Sequence, residues 1–118
     1  MKAGFGRHFM ADLYLCQNEL WNTPNEFMSE IRRITNFDGI INIQWVFQTF
    51  KPEGTRISGE FDDCFILIQI FAEQKFLTID IFWWQPRLEI EQFSEALVEL
   101  FRPQVLATES RLRAEHLN

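Results

Sequence analysis

The alternation of apolar and polar positions is clearest between Ser58 and Gln85, and the rest of the chain is read around that stretch. Two apolar runs, Cys64–Ala72 and Phe76–Trp84, flank the polar break Glu73-Gln74-Lys75. Each run is nine residues long and rich in Ile and Phe, which suits a strand better than a helix. A short polar connection between two such runs predicts an antiparallel hairpin. Cys64, Ile66, Ile68 and Ile70 then point one way, and Phe65, Leu67, Gln69 and Phe71 the other. In the second run Phe76, Thr78, Asp80, Phe82 and Trp84 oppose Leu77, Ile79, Ile81 and Trp83. Both faces are largely apolar, so the hairpin is expected mid-sheet with something packed on each side. Gln69, Thr78 and Asp80 interrupt it. Buried polar groups need partners, so these three mark either a hydrogen-bonded core or a site.

The same patterning extends outward. Gly4–Cys16 alternates Phe5, Arg7, Phe9, Ala11, Leu13 and Leu15 against His8, Met10, Asp12, Tyr14 and Cys16, which predicts a first strand. Gln17–Asn22 reads as a loop. Thr23-Pro24-Asn25-Glu26 predicts a helix start, with Thr23 as N-cap, Pro24 first and Glu26 closing a capping box. Phe27, Ile31 and Ile34 follow at helical spacing, and Asp38-Gly39 supplies the stop. Ile40–Phe50 predicts a second strand, Lys51-Pro52-Glu53-Gly54 a turn and Arg56–Phe61 a short strand. Leu88–Phe101 predicts a second amphipathic helix with Ile90, Phe93, Leu97, Leu100 and Phe101 inward, and Gln104–Leu112 a last edge strand. Two helices on one face of a mainly antiparallel sheet make an α+β, two-layer sandwich. The other face would be bare. Trp45, Trp83, Trp84 and the many Phe cannot all face water, so a homodimer formed through the sheet is expected.

Composition narrows the functional classes. At 118 residues, 47% hydrophobic and 15% aromatic, the chain reads as one domain spanning 1–118 with a dense core. A net charge of −6 argues against a nucleic-acid backbone or an anionic membrane surface as partner. No apolar run approaches a membrane span, and MKAGFGRH has no signal-peptide core. Cys16 and Cys64 make no disulfide framework, so a cytoplasmic protein with reduced thiols is expected. His8 and His116 with the two cysteines show no metal-ligand spacing, and no metal is expected.

Several stretches together resemble one family. Gly6-Arg7-His8, then Ala11-Asp12-Leu13-Tyr14 and Cys16, resembles the opening of the short prokaryotic S-adenosylmethionine decarboxylases. Phe50-x-Pro52-x-Gly54 and Ser58-Gly59 look like the turn before that family's processing strand, and Ile79-Asp80-Ile81-Phe82 is similar to its Asp-Val-Phe strand. The resemblance implies enzymes without metal or bound organic cofactor. Their proenzyme cuts itself before the serine of Glu-Ser-His, and that serine becomes a pyruvoyl group. The group forms a Schiff base with S-adenosylmethionine and acts as electron sink for loss of carbon dioxide. A second histidine assists cleavage, and a cysteine further on donates a proton. Counting from Glu73 and Phe82 places the triplet on Asp63-Cys64-Phe65, the histidine on Gln69 and the cysteine on Trp84. The stretch from Gly59 to Cys64 is also about two residues short of the family pattern.

A thiol at Cys64 with Asp63 as acid can start an acyl shift. The elimination that makes pyruvoyl needs a base, however, and Phe65 and Gln69 offer none. Trp84 fills the proton donor's place with an indole. The resemblance thus implies a homologue linked to S-adenosylmethionine and polyamine metabolism, without a pyruvoyl group, that is a pseudoenzyme binding a metabolite or a partner. The alternatives are a lyase that cleaves S-adenosylmethionine by other chemistry and a purely structural dimer. Glu60, Asp62 and Asp63 are either a solvated turn or a pocket rim for a sulfonium or an amine. Trp84 and Phe65 can add cation–π contact to such a ligand or belong to core and interface. The ligand-binding candidates are Glu60, Asp63, Phe65, Gln69, Asp80 and Trp84, with S-adenosylmethionine-like or polyamine ligands expected.

Overall fold

The computed structural model describes residues 6–38, 43–50, 54–61, 64–84 and 88–113. In chain order these form β1 (Gly6–Tyr14), α1 (Pro24–Asp38), β2 (Gln44–Phe50), β3 (Gly54–Phe61), β4 (Cys64–Phe71), β5 (Phe76–Trp84), α2 (Leu88–Leu100) and β6 (Val105–Arg113). The strands make one antiparallel sheet in the order β2-β3-β4-β5-β1-β6. The hairpin of β4 and β5 therefore lies mid-sheet, as its two apolar faces require. Cys64, Ile66, Ile68 and Ile70 of β4 and Leu77, Ile79, Ile81 and Trp83 of β5 are buried against α1 and α2. Both helices cover that one side. The architecture is the expected α+β two-layer sandwich. Among the described residues no helix is long and apolar enough to cross a membrane.

Phe27 of α1 ties the layers together. Its ring meets Trp45 and Phe47 of β2 edge-on, at centroid distances of 5.7 and 5.6 Å, and lies 6.2 Å from Phe101 beyond α2. Trp45 and Trp83 thus belong to the helix side. Of the three tryptophans expected to burden the bare face, only Trp84 does so, 43% exposed.

The departures from the expected elements have local causes. β1 ends at Tyr14 because Leu15 adopts a left-handed backbone, φ 54°. That reversal leaves Leu15 exposed and turns Cys16 into the core, where its thiol donates to the Leu13 carbonyl. The expected loop after it contains a 3-10 turn, Leu20–Asn22. That turn takes the Thr23 N–H for the Leu20 carbonyl, so Glu26 cannot accept it. Thr23 Oγ1 donates instead to the Glu26 carboxylate at 3.3 Å, a side-chain pair in place of the reciprocal capping box. Ala72 leaves the first hairpin strand for a second 3-10 turn, Ala72–Gln74, closed by Lys75 at φ 52°. The short strand expected from Arg56 starts at Gly54 and pairs with β2 from Gly54 to Glu60. α2 stops at Leu100, with Arg102 left-handed after it, and Asn18 Nδ2 donates to the Leu100 carbonyl at 2.7 Å. This satisfies one of the carbonyls a helix end leaves open. Ser94 and Val98 join the buried stripe of α2, Ser94 by donating to the Ile90 carbonyl at 2.8 Å. The expected strand residues 40–42, turn residues 51–53 and acids Asp62 and Asp63 lie outside the described residues.

Candidate functional site

The face of the sheet away from the helices carries most positions that the sequence singles out. In paired antiparallel strands, directly opposed residues point to the same side, so side chains form rows across the sheet. One row runs Arg111, His8, Phe82, Phe65, Glu60 and Gln44. The next runs Glu109, Met10, Asp80, Leu67, Ser58 and Val46. The third runs Ala107, Asp12, Thr78, Gln69, Arg56 and Gln48. The first row is rich in rings and the third in polar groups.

In the first row His8 stacks on Phe82, with centroids 3.9 Å apart and planes at 20°. Phe82 leans on Phe65 at 6.4 Å. His8 Nε2 lies 2.9 Å from Asp80 Oδ1, and the two side chains are 15% and 25% exposed. Beside this pair lies an open concavity of about 400 Å³, lined by Met10, Asp12, Gln69, Thr78, Asp80 and Glu109 among others. Asp12, Asp80 and Glu109 are the three carboxylates among its lining residues. Among the described residues no group of three or more His, Cys, Asp or Glu is placed to hold a metal ion.

The predicted site residues divide. Gln69 and Asp80 share the concavity. Phe65, 37% exposed, stands beside Glu60 across the β3–β4 pairing. Trp84 lies at the end of β5, across from Gly6. A Cβ at Gly6 would run into the indole, so the bare glycine is what lets Trp84 lie over β1. Asp63 lies outside the described residues. Cys64 is 3% exposed on the helix side, opposite Phe61 and Trp83, and so is separated from the others by the thickness of the sheet. The sequence reading missed Asp12 and Glu109 as members of the site and His8 as the partner of Asp80. Strand alternation puts His8 and Asp12 on one side together. Their meeting with Asp80 and Glu109 depends on register between strands distant in the chain, 72 residues apart for His8 and Asp80.

The second cysteine is no better placed for nucleophilic work. Burial pushes the Cys16 thiol up to about 11, so the reactive thiolate is scarce at neutral pH. The raised value also sets a stability trend. Above pH 9 the unfolded thiol ionises while the folded one stays protonated, so stability falls as pH rises from 9 towards 11. The loss should reach about 2–3 kcal/mol. Urea midpoints at pH 8 and 10.5 should show a drop in the wild type that Cys16→Val lacks. An equal drop in both would show that Cys16 does not carry it.

Fold and family agree. The architecture is that of an α+β sandwich with an acidic concavity on its uncovered face. A family model described as S-adenosylmethionine decarboxylase matches residues 7–114, and the chain belongs to that family. A search of curated proteins gives no match. Among solved structures the adenosylmethionine decarboxylase from Aquifex aeolicus VF5 is similar in fold, with a TM-score of 0.78 at 15% identity. The alignment covers 95% of this chain and 92% of that one. Counting along the resemblance puts the serine that becomes the pyruvoyl group on Cys64. Cys64 itself is packed in the core.

Proposed function

We propose that this chain is a member of the decarboxylase family that lacks pyruvoyl-dependent decarboxylation and binds a cationic metabolite, S-adenosylmethionine or a polyamine, as a homodimer. The observation that carries the reading is the place of Cys64. Counted along the resemblance it falls on the family's serine, with Phe65 on the following histidine and Gln69 on the second one, and in β4 it is buried facing the helices. What the open face retains is a set of binding features. Asp12, Asp80 and Glu109 attract positive charge, and the rings of Phe65, Phe82 and Trp84 offer stacking to an adenine or a sulfonium. Stacking or cation–π contact contributes roughly 0.5–2 kcal/mol and a charge-assisted hydrogen bond roughly 1.5–3 kcal/mol. After the entropy of association this supports an affinity of about −4 to −8 kcal/mol, micromolar to millimolar.

The chain should stay whole. After prolonged incubation its intact mass should remain near 14.1 kDa. Two fragments split between Asp63 and Cys64, the second blocked by a ketone, would refute the loss of processing. Calorimetry with S-adenosylmethionine, its decarboxylated form, methylthioadenosine and spermidine tests the ligand. Binding should saturate for at least one of them, and absence of binding below about 10 mM would leave a structural role as the better reading. Product identification after incubation with S-adenosylmethionine separates binding from lyase-type cleavage.

A further inference from the structure

We propose that the outer edge of β6 is a self-association surface of its own, on which β6 of a second copy pairs antiparallel about Ser110. β6 is the last strand of the sheet and, among the described residues, pairs with β1 alone. That pairing runs one-to-one through all nine residues, Val105–Arg113. The backbone N–H and C=O groups on the far side of β6 therefore face away from the sheet, as an open template for another strand. Proteins ordinarily close such an edge with a proline, a bulge or a covering helix. β6 contains no proline and no bulge. Eight of its nine residues are exposed, so neither helix shelters it.

The charges along the strand select the occupant and the register. Opposed residues of an antiparallel ladder are either both bonded across it or both not, so a twofold pairing is centred on a residue that stands opposite itself. Centring on Glu109 sets a carboxylate on its own copy, and centring on Arg111 sets a guanidinium on its own copy. Like charges directly opposed are destabilising. Centring on Ser110 sets Glu109 opposite Arg111 of the second copy and Arg111 opposite its Glu109, with Thr108 opposite Leu112 and Ala107 opposite Arg113. Among registers centred within β6, this one opposes unlike charges without also opposing like ones. Glu109 and Arg111 are both exposed, and neither has an ion-pair partner among the described residues. The other edge strand, β2, carries no charged residue to match them. Glu109 also lines the concavity, so the pairing brings Arg111 of the second copy to its rim. The edge contact buries no core side chain and is weaker than a face-to-face contact, so cross-linking is the measure suited to it.

Ser110→Cys reads the register directly, because Cys16 and Cys64 are buried and the new thiol is the exposed one. Ser110 stands opposite Phe9, on the helix side of the sheet, so a dimer through the open face cannot link it. Mild oxidation should give a disulfide-linked dimer, since directly opposed Cβ atoms lie about 4.5–5.5 Å apart. Thr108→Cys should not link to itself, its copy lying four positions along the strand, about 13 Å away. Mixed with Leu112→Cys it should form the mixed dimer. Added to Ser110→Cys, Glu109→Arg or Arg111→Glu alone should slow the link about tenfold, because each opposes like charges twice. The two together exchange the charges and should restore it. Self-linking of Thr108→Cys as fast as that of Ser110→Cys would overturn the register. No link at Ser110→Cys, or a double exchange as slow as the single variants, would overturn the edge pairing itself.

Discussion

Phe27→Ala is expected to destabilise the fold by about 3–5 kcal/mol. Phe27 is fully buried and touches three aromatic rings from different parts of the chain, Trp45, Phe47 and Phe101. Those rings come from β2, at one edge of the sheet, and from the end of α2. Alanine would leave a cavity bounded by rigid rings that cannot collapse into it, and the loss includes the edge-on contacts themselves. Measured against a typical total of roughly 5–15 kcal/mol, the change brings the chain near its unfolding limit. Urea denaturation should show a lower midpoint with an unchanged slope. Phe27→Leu, which keeps most of the volume, should lose under about 2 kcal/mol. A loss below about 1 kcal/mol for the alanine variant would show that α1 is anchored elsewhere.

The role of Phe27 illustrates what the sequence makes legible. Its spacing with Ile31 and Ile34 marks a buried helix face, and the alternation of Trp45 and Phe47 marks a strand face. Periodicity therefore identifies what is buried. It does not say that these three rings meet, because the pairing of α1 with β2 is a property of the assembled layers. The same limit explains the errors at element ends. Leu15 and Cys16 continue the alternation of β1 in sequence, yet the left-handed turn at Leu15 inverts them. Alternation cannot register a backbone reversal made by a residue with no conformational preference for it.

The candidate site was legible to the same degree. Gln69, Thr78 and Asp80 stand out because polar residues in apolar strands need partners, and all three line the concavity. Their partners were not legible. Asp12 and Glu109 read as ordinary exposed charges on outer strands. Only the order β5-β1-β6 makes them neighbours of Asp80. Phe65 and Trp84 were singled out through the family resemblance, and Glu60 as one of a cluster of acids before the central strand. The register places Glu60 and Phe65 side by side, while the buried Cys64 belongs to the opposite face.

Phe65→Glu is expected to dissociate the proposed homodimer, weakening it by at least about 100-fold. The open face presents Phe65, Trp84 and Val46 with 37%, 43% and 50% of their surfaces exposed. In the proposed homodimer, a twofold axis along the strands, between β4 and β5, would lay this face on its own copy. In that arrangement each row is read against itself in reverse. Phe65 then meets Phe82, His8 faces Glu60 and Asp12 faces Arg56, whereas Asp80 faces Leu67 and Glu109 faces Val46. Burying one phenylalanine side chain contributes roughly 1.5–3 kcal/mol, and in an isologous interface every substitution acts twice. A carboxylate at position 65 would also stand beside Glu60 on each protomer. Phe65 is partly exposed within the protomer, so its replacement should leave the circular dichroism spectrum intact. Sedimentation should then report a monomer where the wild type is a dimer at micromolar concentration. Glu95→Lys, on the outer surface of α2, should leave the dimer unchanged. A wild type that sediments as a monomer would refute the assembly, and a Phe65→Glu dimer of wild-type strength would move the interface to another face.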